Sequence, residues 1–171
     1  MTRSDLEDAL EQAHPASFGW ALGCCGWDRE EAQDVLQTAY LKVLDGKARF
    51  DGRSSLRTWL FAVIRRTAAE RRRRRWLRSL ALGRWVDERP SDGAVPTPES
   101  LARQSETSQA LRTALRALPA RQREILHLVF YEDFAIEEAA GILGISVGSA
   151  RTHYHRGKEQ LRQRLGEGNR R

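Results

Sequence analysis

In SARTHYHRGK, residues 149–158, Ser149, Arg151, Thr152, His155, Arg156 and Lys158 stand at helical spacing. An arginine fork can make a bidentate contact with a guanine edge, while hydroxyls and imidazoles make shorter hydrogen bonds. Arg156, Lys158 and the following Arg162 are better suited to phosphates. A second basic group is denser, the unbroken run Arg71 to Arg75 at the end of an apolar stripe. A charge run taken alone is most often a solvated face, so it must be weighed against the rest of the chain. No phosphate-cradling glycine loop, metal-ligand cluster or nucleophile with a base is present, which points to binding rather than catalysis and to no cofactor. His153 and His155 lack a carboxylate or thiol placed to complete a metal site. The adjacent Cys24 and Cys25 fit neither a disulfide framework nor a CxxC site and are expected to be buried apolar residues.

The charge is segregated. Ten arginines face three acidic residues between Arg65 and Arg89, and seven Lys and Arg face two Glu between Gly144 and Arg171. These two excesses together exceed the net +6 of the 171-residue chain, so the remainder is acidic. Two polyanion-facing surfaces on an acidic body are implied, and counterion release makes nucleic acid their natural partner. No stretch is long and apolar enough to span a membrane, and the N-terminus MTRSDLEDALEQ does not read as a signal peptide. A cytoplasmic location is expected.

The elements that must position these groups are helical throughout. In DREEAQDVLQTAYLKVLDG, one face carries Ala32, Val35, Leu36, Ala39, Tyr40, Val43 and Leu44. Asp28 with Glu31 reads as a capping box, and Gly46 can close the end. Upstream, Phe18 to Trp27 predicts a shorter helix packing on that face. FDGRSS is a turn, after which Ser55 can cap a helix with the stripe Leu56, Trp59, Leu60, Val63 and Thr67. Trp59 is expected in the core. Residues 83–100, rich in Pro and Gly, predict a linker between one domain at 1–82 and another at 101–171. In the second, Leu101, Leu111, Leu115 and Leu118 are the apolar points of a helix that Pro119 interrupts, and ARQREILHLVFYE forms the next. Ile136 to Leu143, the turn at Gly144, Ile145 between helices and the cap Ser146 have the spacing of a helix-turn-helix. Ala150, Tyr154 and Leu161 are expected to face its core. GEGNRR reads as a frayed tail, with no further C-terminal domain expected. The fold class is all-α, two small helical domains joined by a linker.

ALPARQREILHLVFYEDFAIEEAAGILGISVGSARTHYHRGKEQLR resembles region 4 of the extracytoplasmic-function sigma factors of bacterial RNA polymerase. AQDVLQTAYLKV and FDGRSSLRTWLFAVIRR resemble two parts of region 2. The resemblance implies a transcription initiation factor that binds core polymerase through the β′ clamp helices and the β flap. It implies recognition of minus-35 and minus-10 promoter elements, on duplex DNA and on the non-template single strand, and an anti-sigma factor as a further partner. By the same resemblance Asp34, Gln37, Tyr40 and Leu41 contact polymerase, with core packing an open alternative for Tyr40 and Thr38 standing where members often carry Glu. Arg53, Ser54, Ser55, Arg57, Arg65, Arg66, Arg72 and Arg73 are implied at the minus-10 element. Arg66 stands where many members have Asn, a departure that bears on base preference and leaves backbone attraction intact. The recognition helix, with Ser149, Arg151, Thr152, His155, Arg156 and Lys158, is assigned to minus-35. A helix-turn-helix activator would share the C-terminal signature but would not account for AQDVLQTAYLKV followed by GRSSLRTWL.

Overall fold

The computed structural model describes residues 2–83 and 106–168, and side chains within 2–83 and 109–166. The chain divides into two units, Met1–Gly93 and Ala94–Arg171. Every regular element among the described residues is helical. No described helix is long and apolar enough to cross a membrane.

The first unit is a three-helix bundle of α1 (Arg3–Cys24), α2 (Arg29–Leu44) and α3 (Leu56–Ala81). α1 is longer than the sequence suggests. It starts at a capping box, Thr2 accepting from the Asp5 amide while Asp5 accepts from the Thr2 amide. It then runs through Pro15, whose missing N–H costs one helical bond. Burial of Leu10, Ser17, Trp20, Ala21 and Cys24 along one side holds the helix together across it. Trp20 is fully buried, stacks on Phe61 and donates its indole N–H to the Phe61 carbonyl at 3.0 Å, pinning α1 to α3. From α2 come Ala32, Val35, Leu36, Ala39 and Val43, and from α3 Leu60, Phe61, Val63, Ile64, Thr67 and Ala68. Trp59 is not in this core: it is half-buried and packs against Phe50 of the preceding loop.

Asp28 caps α2 through the Glu31 amide at 3.0 Å, and Gly46 takes the left-handed conformation that closes it. The expected return bond from Glu31 is replaced, because that carboxylate turns toward α3. Ser55 caps α3 through the Thr58 amide. Beyond Glu70 the helix outruns the core, leaving Trp76, Leu77, Leu80 and Leu82 exposed.

The second unit comprises α4 (Glu106–Arg116), α5 (Ala120–Leu126), a π-helical turn (His127–Tyr131), α6 (Ile136–Leu143) and α7 (Val147–Gly168). Pro119 is the N-cap of α5 rather than a residue of its first turn. The helix expected through Glu132 changes at His127 to a π-turn, closed by a bond from the Glu132 amide to the His127 carbonyl. That extra residue rotates the apolar phase, so Leu128 and Phe134 are buried while Phe130 and Tyr131 are exposed. Among the described side chains of α4, Ala114 is buried, Leu115 half-buried and Leu111 exposed, and Leu118 is buried just past the helix end. The expected linker, apart from Gly83, and Leu101 lie outside the described residues, as do residues 169–171 of the expected tail. Gly166 to Gly168 continue α7.

Candidate nucleic-acid interface

α6, the turn and α7 make the helix-turn-helix. Gly144 has φ 65°, a conformation that would strain a side chain. The Ile145 amide reaches the Ala140 carbonyl at 3.1 Å, and Ser146 accepts from the Ser149 amide to start α7. Arg121 reaches the Leu143 carbonyl and so satisfies the end of α6. Ala150 is fully buried, but Tyr154 and Leu161 are only half-buried. Gly157 carries the buried stripe onward. A β-carbon there would lie 3.1 Å from Leu126 Cδ1 and 3.2 Å from Gln122 Cβ, so α5 and α7 approach as closely as their backbones allow.

Ser149, Arg151, Thr152, His155 and Arg156 are all exposed on the opposite side of α7. Ser149 accepts from the Ser146 hydroxyl, and Thr152 donates to the Gly148 carbonyl, so both hydroxyls also brace the helix start. Arg151 Nη2 donates to Glu137 Oε1 at 3.0 Å. Lys158 is not on the open polar face. It is half-buried, with Nζ 5.1 Å from the Tyr154 ring centroid and 5.9 Å from that of Phe130. The aromatic faces hold its charge beside the recognition surface, where it still adds positive potential.

In the first unit, Gly52 turns the loop with φ 74°, and Asp51 accepts from the Arg53 amide while pairing with its guanidinium at 3.4 Å. Ser54 is exposed and donates to the Ser55 carbonyl. Ser55 serves as a helix cap, its Oγ 2.7 Å from Thr58 Oγ1. Arg57 lies over the Phe61 ring. Along α3, Arg65 and Arg72, then Arg66 and Arg73, are seven residues apart and therefore nearly eclipsed on the helix. Arg66, Arg72, Arg73 and Arg74 are exposed, and Arg65 is half-buried.

Arg71, half-buried, and Arg75, exposed but one turn on, reach toward α2 instead. Arg71 Nε is 3.0 Å from Glu31 Oε1 and its Nη2 is 3.0 Å from Asp34 Oδ2. Arg75 Nη2 lies 2.8 Å from Glu31 Oε1. Burial works to raise the Glu31 carboxyl, but the hydrogen bonds and charges of Arg71 and Arg75 outweigh it and hold it below the ordinary value. The Glu31 bond raises the Arg71 guanidinium still further. Lys42 adds a second tie between α2 and α3, 2.6 Å from Glu70. The run is therefore divided by helical phase, as more than one full turn of helix requires; the acidic partner itself could not be named from the sequence, because Glu31 and Arg71 are separated by 40 residues.

Asp34, Gln37 and Leu41 lie exposed on α2. Tyr40 is half-buried, its hydroxyl 3.4 Å from the Leu10 carbonyl, so it both packs against α1 and borders the surface. A groove of about 430 Å³ runs beside them, lined by His14, Phe18, Arg29, Gln37, Tyr40 and Leu41 among others. Cys24 is buried; burial also pushes the Cys25 thiol up to about 12, which keeps it protonated.

A helix-turn-helix with an arginine-bearing outer face in one unit and a three-helix bundle with an arginine stripe in the other are the parts of a sigma-70 type transcription factor. Two family models match in chain order, Sigma-70 region 2 over residues 10–78 and Sigma-70, region 4 over residues 108–161. The ECF RNA polymerase sigma factor SigX of Bacillus subtilis is 32% identical over 141 residues, covering 81% of this chain and 72% of the relative. EcfG of Rhodopseudomonas palustris is 31% identical over 160 residues, covering 91% and 82%. The sigma factor RpoE from Bartonella quintana, solved in complex with the anti-sigma factor NepR, matches with TM-score 0.77 and 25% identity over 95% of this chain and 97% of that one. The chain belongs to the extracytoplasmic-function sigma factors. It is a DNA-binding transcription initiation factor that acts with RNA polymerase to direct it to promoters.

Proposed function

We propose that the two units divide the work: residues 1–82 dock polymerase and engage the minus-10 element, residues 83–100 link, and residues 101–171 engage minus-35. The observation that carries this reading is the placement of two chemically different exposed sets on two helices of the first unit. Asp34, Gln37 and Leu41 are exposed on α2, whereas Arg66, Arg72 and Arg73 are exposed along α3. Carboxylate, amide and apolar surface suit a protein partner. An arginine stripe suits the phosphates of a passing strand, with Arg53, Ser54 and Ser55 at its start and Arg57 and Arg65 beside it. In the second unit Arg151, Thr152, His155 and Arg156 face outward from α7, as base reading in the major groove requires. Ser149 and Lys158 support that face from its edges.

The chain works by binding, without catalysis, a metal or a cofactor, and it works in the cytoplasm where its polymerase is. An anti-sigma factor is a fitting antagonist, since RpoE of Bartonella quintana, with the same fold, is held by one. Run-off transcription from a genomic promoter library with purified core polymerase tests the whole reading. Transcripts that need this chain and share two spaced elements are expected. Core binding without promoter selection would defeat it. Replacing Asp34 and Gln37 with Ala should weaken capture of core polymerase while helical content is kept; full retention would remove these residues from the interface.

A further inference from the structure

Arg151 is the side chain on α7 best able to read guanine, yet it is already engaged. Its Nη2 donates to Glu137 Oε1 at 3.0 Å, joining the first turn of α6 to the first turns of α7 across the Gly144 bend. The side chains are 60% and 59% exposed, so the pair adds little to stability in water. Its interest lies in what it does to the guanidinium. Arginine has five donor hydrogens in a rigid fork. One is used by Glu137, which leaves enough to span the O6 and N7 acceptors of guanine. A phosphate is a second anion and would have to approach beside the Glu137 carboxylate. A guanine edge is uncharged and would not be repelled in that way. Glu137 is ionised at neutral pH, with its own backbone amide and Arg151 holding its carboxyl below the ordinary value. Ordering a long side chain before binding also removes part of the entropy cost of fixing it on the DNA.

We propose that Glu137 is a specificity-determining residue, which holds Arg151 for a guanine edge and keeps it off the phosphates. The inference rests on the reading of α7 as the base-reading helix. It makes an unusual demand: removing the carboxylate charge should increase general affinity for DNA while lowering discrimination. A residue that merely supported the fold would lower both.

The test uses holoenzyme assembled from the full chain and core polymerase. A duplex library randomised across the upstream element is selected and sequenced for wild type, Arg151→Ala, Glu137→Gln and the double variant, at several salt concentrations. Arg151→Ala should flatten preference at one base position roughly tenfold. Glu137→Gln should flatten the same position about two- to fivefold, the scale of an exposed ion pair. On unselected duplex it should bind more tightly, with a salt slope steeper by up to about 0.9 as Arg151 takes up a phosphate. The double variant should match Arg151→Ala at that position, and Glu137→Asp, which keeps the charge at shorter reach, should fall between Gln and wild type. If Arg151→Ala leaves every base preference intact, the reading of α7 itself is wrong. If it acts but Glu137→Gln changes nothing, the inference alone fails. A change at a different base position would show Glu137 taking a base directly, which also overturns it.

Discussion

Two of the arginine–carboxylate pairings between helices are opposites in their surroundings. In the first unit Glu31 is only 17% exposed and receives both Arg71 and Arg75. In the second, Glu137 is 59% exposed and receives Arg151. The first geometry ties Arg71 and Arg75 of the basic run to a largely buried carboxylate and so fastens α3 to α2. The second leaves its arginine in solvent, able to exchange partners. Arginine content by itself therefore does not measure a DNA-binding surface; helical phase and the location of the nearest carboxylate decide which guanidiniums are available.

The contrast can be broken most forcefully at the inner pair. Glu31→Ala removes the carboxylate that Arg71 and Arg75 share, leaving Arg71 with Asp34 alone, and should lower stability by about 1–2 kcal/mol, between the ranges for exposed and fully buried pairs. All five tryptophans lie in the first 85 residues, so tryptophan fluorescence follows the melting of the first unit. Glu137→Ala, at a fully solvated pair, should leave the melting of the second unit followed by circular dichroism unchanged. Equal losses at the two sites would erase the distinction.

A close-packing test comes next. Gly157→Ala puts a methyl against Leu126 and Gln122; crowding of about 1–3 kcal/mol is set against a helix-propensity gain of about 1 kcal/mol, so a net loss of at most about 2 kcal/mol, confined to the second unit, is expected. Far-ultraviolet circular dichroism would show it, while the tryptophan signal should stay unchanged.

Acid sharpens the comparison further. The Glu31 carboxyl is lowered in the folded state, so its contribution to stability is present above the unfolded value and is lost as pH falls through the folded one. The stability difference between wild type and Glu31→Gln should be full at pH 7 and should shrink below about pH 4.5. A difference independent of pH would mean that packing, not charge, sets it. A smaller effect is expected at Cys25, where the raised thiol should be alkylated by iodoacetamide at pH 8 much more slowly than a free cysteine.

Much of this arrangement is legible in local sequence. Asp28, Ser55 and Ser146 cap their helices as their types suggest, and Gly46 and Gly144 adopt the conformations that only glycine takes easily. Each of these depends on neighbours within four residues. The misses come from forces that act over longer distances. The first helix is expected only from Phe18, but burial of Leu10 and Trp20 on either side of Pro15 lets α1 begin at Arg3. Phe130 and Tyr131 read as part of a regular helix until the π-turn shifts their phase. The Glu31–Arg71 clasp joins positions 40 residues apart, and nothing near either residue signals the other. Of the side chains that residue type singles out on α7, Ser149, Arg151, Thr152, His155 and Arg156 are exposed together, whereas Lys158 is held against Tyr154, and Arg71 and Arg75 pair with Glu31.

A salt series on holoenzyme bound to a promoter fragment tests the division of the arginine run. Arg72→Gln with Arg73→Gln should flatten the slope of log affinity against log salt by about 0.9 for each duplex phosphate no longer neutralised, or about 0.7 on single strand, with the melting of the first unit unchanged. Arg71→Gln with Arg75→Gln should leave the slope as it is in wild type and lower the melting temperature instead. If the inner pair flattens the slope as much as the outer pair, the clasp to Glu31 and Asp34 does not survive on the promoter, and the run works as one phosphate-binding patch.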